Sequence, residues 1–244
     1  MTMEPLEKIE DIFTNEKQKF CEFLACLYNR GMCEIFVDYR DNNNFCFHRR
    51  DEQFGINDLY IYFEDINYFD SVIRLYEGLT TVSIITPLDL DTNKYENDWK
   101  ISVRRQFYKD KASKTAISNN YTQLNKSHIS IIDSSTSDTV KCNYHMALEY
   151  DGENYAILSD KLFCFLSTSK TEKADLIEID WIYTEPQHRK KGYATQLLED
   201  VSNYYLSKGL LVTYHCSKEN LASANTAVKS GFIETSEEII FERK

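Results

Sequence analysis

Between Leu176 and Leu206 the hydrophobic period of the chain changes from two residues to about 3.6. From Leu176 to Tyr183 apolar and polar residues alternate, which predicts a strand. Ile177, Ile179 and Trp181 fall on one face, expected to be core, and Glu178 and Asp180 on the other. From Thr195 to Leu206 the spacing predicts an amphipathic helix, with Leu197, Leu198, Val201 and Tyr205 on one side and Gly209 after it. A strand at Leu210–Tyr214, a short helix at Leu221–Lys229 closed by Gly231, and one or two strands within Phe232–Phe241 follow. Strand, helix, strand, helix, strand restricts this half of the chain to a mixed α/β domain.

Upstream the order is less regular. Pro5–Phe13 reads as a helix, and Asn15 as the cap of a second one that carries Phe20, Phe23, Leu24 and Leu27 and stops at Gly31. Glu34–Tyr39, a polar turn at Asp41–Asn44, and Phe45–Phe47 form a hairpin pattern. Leu59–Phe63 and Thr81–Ile85 read as strands, Phe69–Tyr76 as a helix ended by Gly78, and Trp99–Phe107 as an apolar packing segment. Lys111–Lys126 is polar and linker-like, so a boundary is expected near residue 120, with domains at 1–120 and 121–244. His145–Tyr150, a turn at Asp151-Gly152, and Tyr155–Leu158 read as a hairpin, extended or followed by Lys161–Leu166.

Composition narrows the function classes. With 42% hydrophobic and 27% charged residues in 244, the chain can bury a real core, and no apolar run reaches the ~20 residues that span a bilayer. The first ten residues lack the pattern of a secretory signal. The seven cysteines are odd in number and contain no C-x-x-C pair, so they are expected to be reduced, in a cytoplasmic setting, with no metal knuckle. A net charge of −11 disfavours nucleic-acid binding and favours cationic ligands or basic segments.

The turn Pro186-Gln187-His188-Arg189-Lys190-Lys191-Gly192-Tyr193-Ala194 joins the strongest strand to the strongest helix. Such a turn presents unpaired backbone N–H groups at the positive end of a helix dipole, a ready site for phosphate. Gly192 allows close backbone approach, and Arg189, Lys190 and Lys191 gather positive charge in an acidic chain. Neither a P-loop nor a G-x-G-x-x-G fingerprint is present.

Arg189, Gly192 and Ala194 resemble the R-x-x-G-x-A acyl-CoA pyrophosphate loop of the GCN5-related N-acetyltransferase (GNAT) superfamily. Asn220, Lys229, Gly231 and Phe232 match the spacing of that family's N…K-x-G-F segment. The resemblance covers roughly residues 140–244, and residues 1–120 carry no recognised motif. It implies a GNAT fold, a central mostly antiparallel sheet flanked by helices, here preceded by an N-terminal α/β domain. It implies acetyl-CoA as co-substrate. Backbone of Ile182, Tyr183 and Thr184 would pair with the pantetheine arm where the strand splays from its neighbour. N–H groups from Arg189 through Lys190, Lys191, Gly192, Tyr193 and Ala194 to Thr195 would hold the pyrophosphate. Asn220 would contact the pantetheine or cap its helix.

For catalysis, Glu178 stands where GCN5-type members of the superfamily keep a general-base glutamate. Carboxylates on a core-like strand are costly unless solvated or used, and Asp180 is expected to bind a cationic acceptor. The family's frequent tyrosine donor, seven residues after the asparagine, is replaced by Ala227. Tyr214, His215 and Cys216, at the end of the preceding strand, are possible substitutes. Cys216 is expected to be a partly buried strand residue, and His188 to face solvent. The chain is therefore expected to transfer acetyl to a primary amine of a small molecule or peptide, by direct attack in a ternary complex. Two alternatives stay open: a CoA-binding module without catalysis, and an acidic interaction protein that docks a basic partner. The acceptor, the role of residues 1–120 and the oligomeric state are left undetermined.

Overall fold

The computed structural model describes residues 4–28, 33–76, 78–112, 120–149 and 153–244. Gly31 and the Asp151-Gly152 turn lie outside the described residues, as does much of the polar stretch after Lys111. The chain divides into two compact units: residues 1–106 with 217–219 and 235–244, and residues 107–216 with 220–234. The division falls between Gln106 and Phe107, inside a strand, and not at the polar stretch near residue 120. The partition follows packing, which polar composition does not report.

In the first unit the strands are β1 (Glu34–Asp41), β2 (Asn44–Asp51), β3 (Ile56–Phe63), β4 (Thr81–Ile85), most of β5 (Trp99–Lys109) and most of β11 (Ile233–Arg243). They run in the order β1-β2-β3-β4-β11-β5, with β3 and β4 parallel and β1-β2, β2-β3 and β4-β11 antiparallel. Alternation divides the side chains of β2 and β3 between two faces. Phe45, Phe47, Tyr60 and Tyr62 meet Phe13, Phe20 and Phe23, brought by α1 (Pro5–Asn15), α2 (Cys21–Tyr28) and the link between them. Cys46, Leu59, Ile61 and Phe63 meet Tyr68, Phe69 and Val72 of α3 (Ile66–Leu75). Asn15 ends α1 and does not cap a second helix.

In the second unit β10 (Leu211–Ser217), β9 (Leu176–Thr184), β8 (Leu162–Thr171), β7 (Glu153–Leu158) and the short β6 (Thr122–Gln123) lie in that order. All neighbours are antiparallel except β9 and β10, which are parallel. α6 (Tyr193–Ser207) and α7 (Leu221–Lys229) cover one face, over Ile177, Ile179, Val212 and Tyr214. α4 (Ile129–Asp133) and α5 (Asp138–Glu149) cover the other, over Ala156, Leu162 and Phe165.

His145–Glu149, expected as a strand, is the end of α5. Val140, Tyr144 and Leu148 recur every fourth residue and pack together. That helical stripe outweighs the local alternation of Met146 and Leu148. α6 buries Leu197, Leu198, Val201 and Tyr205, as its period predicts. It ends where Gly209, at φ +82°, returns its N–H to the Leu206 carbonyl.

Candidate active site

β9 and β10 are paired over four residues, Leu176↔Leu211 to Ile179↔Tyr214, and the ladder stops there. β9 continues to Thr184 and β10 to Ser217. Beyond Ile179 the side of β9 turned toward β10 thus has backbone groups with no partner in that ladder. Such an edge is a template for an extended ligand carrying amides. Ile182, Tyr183 and Thr184 lie on this stretch.

On its other side β9 pairs with β8, and the register shifts there: Ser167 opposes Trp181 and Thr168 opposes Ile179. Asp180 is the extra residue of a β-bulge, which re-aims side chains where pairing ends. The bulge corrects one expectation. Alternation predicts Trp181 on the core face, but it is 40% exposed, because the extra residue breaks the alternation after Ile179.

Glu178 and Asp180 sit on the face opposite the α6–α7 core, with Ser169 and His215. His215 Nδ1 is 2.8 Å from Glu178 Oε1, and both side chains are mostly buried. The Ser169 hydroxyl donates to Asp180 Oδ1 at 2.9 Å. Asp180 keeps solvent on one side. The protein packed around it, and then the Glu178 charge, push its carboxyl from the usual 3.8 up to about 7, while Ser169 and His215 pull the other way. Two carboxyl groups thus stand together here, and one of them is held well above the usual aspartate range.

At the end of β9 the chain turns through a single 3₁₀ turn, Pro186–His188, into α6. Lys190 and Gly192 both take the left-handed conformation, at φ +59° and +86°. Gly192 is the N-cap of α6 and supplies no capping side chain. The N–H groups of the first turn, Tyr193, Ala194 and Thr195, therefore have no intrahelical acceptor and point into an open cradle. A Cβ at Gly192 would meet nothing within 4 Å, so space is left for a ligand. Arg189 folds back: its Nε donates to the Thr184 carbonyl at 3.1 Å, and its guanidinium lies 5.7 Å from the Tyr183 ring centroid. Lys190 and Lys191 are exposed.

The loop is pinned by a buried carboxylate. Glu185 accepts from the Ser135 hydroxyl at 2.5 Å, the Thr136 amide at 3.1 Å and the Thr136 hydroxyl at 2.5 Å. Burial raises its pKa, but these bonds together outweigh it and hold the carboxyl below its ordinary value. His188 does not face solvent as expected. Its ring lies 4.2 Å from that of Phe163, and its Nδ1 is buried without a partner.

At the start of α7 the Asn220 side chain accepts from the Ser223 amide at 3.1 Å, so it is an N-cap. Ala227 is fully buried in the core beside Phe232 and Tyr214. Cys216 is buried, as expected of a strand residue. The Glu178–His215 pair, the Ser169 bond and the Glu185 anchor escaped the sequence reading. Each joins residues that only strand pairing or packing brings together, so no local spacing marks them.

A parted parallel strand pair, carboxylates beside the parting and an anion cradle at its far end define the class of GNAT-fold proteins. Residues 127–232 match the model of the acetyltransferase (GNAT) family. Solved structures share the fold over nearly the whole chain. A Drosophila structural-genomics protein is 12% identical with TM-score 0.63, covering 98% of this chain and 97% of its own. A GNAT-family acetyltransferase from Colwellia psychrerythraea is 12% identical with TM-score 0.56, covering 100% and 99%. A GCN5-related N-acetyltransferase from Kribbella flavida is 9% identical with TM-score 0.51, covering 90% and 95%. No curated protein matches the chain. Among the described residues no helix is long and apolar enough to cross a membrane.

Proposed function

We propose that the protein is an acetyl-CoA-dependent N-acetyltransferase whose acceptor is a cationic primary amine. The observation that carries this reading is the end of the β9–β10 ladder at Ile179↔Tyr214, with Asp180 and Glu178 beside it. The pantetheine amides would pair with the free edge of β9 at Ile182–Thr184. The pyrophosphate would rest on the N–H groups from Lys190 to Thr195, with Lys190 and Lys191 near its charges. Arg189 braces the loop by its own contacts to β9, so its share in binding is chiefly indirect.

The structure favours a division of labour between the carboxylates that differs from the expected one. Glu178 is engaged by His215, which fixes its position. Asp180, raised to about 7, has the proton affinity that suits a general base at neutral pH. Glu178 therefore draws the ammonium in, and Asp180 takes the proton as the amine becomes nucleophilic. The neutral amine attacks the thioester carbonyl, the C–N bond forms, the C–S bond breaks with its electron pair on sulfur, and the second proton leaves the attacking nitrogen for that sulfur, directly or through water. Cys216 is buried within β10, where a thiol is shielded from a substrate, so an acetyl-enzyme is not part of this scheme.

The acceptor can be a small molecule or a peptide. The test is calorimetry with CoA, followed by release of CoA thiol from acetyl-CoA across a panel of amines. Binding with turnover is expected. Binding without turnover on any amine would favour a CoA-binding module without catalysis, which the alanine at 227 permits. An absence of CoA binding would leave the acidic docking protein as the surviving reading.

A further inference from the structure

In the first unit α3 covers the sheet face that carries Leu59, Ile61, Val82 and Phe241. After β4, the described residues hold no second helix on that face, only a loop with a single 3₁₀ turn, Asn93–Tyr95. The second unit has α7 at the corresponding point, after β10. A cavity of about 370 Å³ lies between the 3₁₀ turn and the end of α3. Ile73, Tyr76, Leu79, Tyr95 and Trp99 line it, all within the first unit. Leu79 and Trp99 are buried in the core under α3, and the other three pack against that core. Gly78, at φ +68°, gives the lining no side chain. The one charged residue of the lining is Arg243. Alternation along β11 sets Arg243 on the same face as Phe241, which packs beside Trp99. The cation thus continues an apolar row. Its guanidinium lies 5.0 Å from the Trp99 ring centroid. Among the described residues no acid pairs with it. Glu242 alternates to the other face and lies 3.0 Å from Lys100. Asp70 of α3 accepts from the Tyr95 hydroxyl at 3.2 Å and lies 3.5 Å from Lys94.

We propose that this cavity is a binding site for a small carboxylate with an apolar, ring-sized body, and that Arg243 holds the carboxylate. The volume falls in the range of small-molecule sites, roughly 300–1,000 Å³. Aromatic and aliphatic walls with a single polar group that fixes orientation are the usual make-up of such sites. The walls take the body of the ligand out of water. The planar fork of a guanidinium matches the two oxygens of a carboxylate, with two parallel N–H···O bonds. Contact with the Trp99 ring holds that fork in place before the ligand arrives, so less side-chain freedom is lost on binding. The same geometry rejects other ligands. A cation meets the Arg243 charge, and a neutral molecule leaves the guanidinium without an anion. In a chain of net charge −11, an unpaired arginine beside an apolar cavity selects an anion against the field of the rest of the molecule. None of the residues used here belongs to the β9–β10 site, so the proposal does not depend on the acetyltransferase reading.

The test is calorimetry on the full chain with benzoate, phenylacetate and hexanoate, each beside its neutral amide: benzamide, phenylacetamide and hexanamide. At least one carboxylate should bind with a dissociation constant of about 1 mM or tighter, and its amide about tenfold or more weaker. Arg243→Gln should lose about tenfold or more of the carboxylate affinity and leave the amide unchanged. The second reading is fluorescence. The chain has two tryptophans, so Trp181→Phe leaves Trp99 as the sole indole. Its emission should change on titration with the carboxylate that binds, with the same dissociation constant as calorimetry gives. The proposal is overturned if no carboxylate binds below about 10 mM, or if the amides bind as well as the carboxylates. Binding that survives intact in Arg243→Gln would put the anion at another basic group, such as Lys190 or Lys191, and would overturn it too. Arg243 is exposed, so its replacement is expected to leave the fold intact. If Arg243→Gln nonetheless fails to melt cooperatively, the Trp99 emission decides: a carboxylate that binds without changing it is not in this cavity.

Discussion

His215 Nδ1 lies 2.8 Å from Glu178 Oε1, across the two strands at the point where their ladder ends. Strand β10 thereby holds in place a carboxylate that belongs to β9. His215→Ala should therefore lower kcat/KM for a cationic acceptor by about tenfold or more, the scale of one lost charge-assisted bond. Affinity for CoA should be nearly unchanged. Equal losses for cationic and neutral acceptors would count against this role.

In the proposed mechanism Asp180 sets the pH dependence. Its carboxyl is pushed up to about 7, so the rate should rise with pH through an ionisation near that value. Asp180→Asn should remove the ionisation and lower kcat by about 10²–10⁴. Glu178→Gln should keep an ionisation, shifted downward, since one of the influences raising Asp180 is the Glu178 charge. A rate profile that is unchanged in Asp180→Asn and lost in Glu178→Gln would return the base role to Glu178.

The same shift has a stability consequence. In the unfolded chain an aspartate ionises near pH ~3.9; in the folded chain Asp180 does so near 7. The neutral form is thus favoured by folding. The stability linked to it is fully present below pH ~3.9 and is lost as pH rises through 7. Asp180→Asn cannot ionise, so its melting temperature relative to wild type should increase between pH 5 and pH 8. Parallel melting curves over that range, read by thermal unfolding, would show that solvent on the open side of Asp180 cancels the effect.

Much of this site was legible where one element carries its own pattern. β9, α6 and α7 fall where alternation, helical period and terminal glycines place them. The bulge at Asp180 was not legible, because it exists only in the register of β8 against β9. Trp181 was misassigned for that reason alone. The end of α5 was misread because Met146 and Leu148 alternate locally, while Val140 and Tyr144, which make the helical face, lie outside that window. Polar partners of buried carboxylates, such as Ser135 and Thr136 for Glu185, are separated by about fifty positions and leave no local trace.

Gly192→Val tests the anion cradle. The added side chain would meet no atom within 4 Å, so no clash is expected. The cost is conformational: φ +86° is unfavourable for a residue with a Cβ by about 1–2 kcal/mol, and more for a branched one. The variant should fold with slightly reduced stability, yet lose CoA affinity by tenfold or more, on the order of one or two lost N–H contacts to phosphate. Calorimetry that finds wild-type affinity would remove the pyrophosphate from this turn.

Ala227→Tyr restores the side chain that the family often places there, and a gain in rate would be the expectation from the motif alone. Packing predicts otherwise. Ala227 is fully buried in the core with Tyr214, Phe232 and Ala224. Forcing a phenol into that space should cost about 1–3 kcal/mol or more and displace Tyr214. The variant should melt lower and gain no rate. An accelerated, fully stable Ala227→Tyr would show that α7 has room the structure does not reveal.

Glu185 gives the opposite pH signature to Asp180. It is 2% exposed, and its bonds to Ser135 and Thr136 outweigh burial, so its carboxyl is held below the ordinary value. The ionised form is then favoured by folding. Its contribution is present above the unfolded value, near pH ~4.3, and is lost as pH falls through the lower folded value. Glu185→Gln keeps the shape and can still accept two of the three bonds, those from the Ser135 hydroxyl and the Thr136 amide, through its amide oxygen, but loses the charge. It should destabilise the protein by about 1–3 kcal/mol at pH 7, the range for a buried hydrogen bond to a charged group. The difference from wild type should shrink in acid, where wild-type Glu185 itself becomes protonated. Because Glu185 fixes the entry to the Pro186–His188 turn, CoA affinity should fall along with stability at pH 7. Urea titrations at pH 7 and pH 3.5, with CoA calorimetry at pH 7, measure both effects. A gap between wild type and Glu185→Gln that widens in acid would reverse the sign and show that burial, not the three hydrogen bonds, controls this carboxyl.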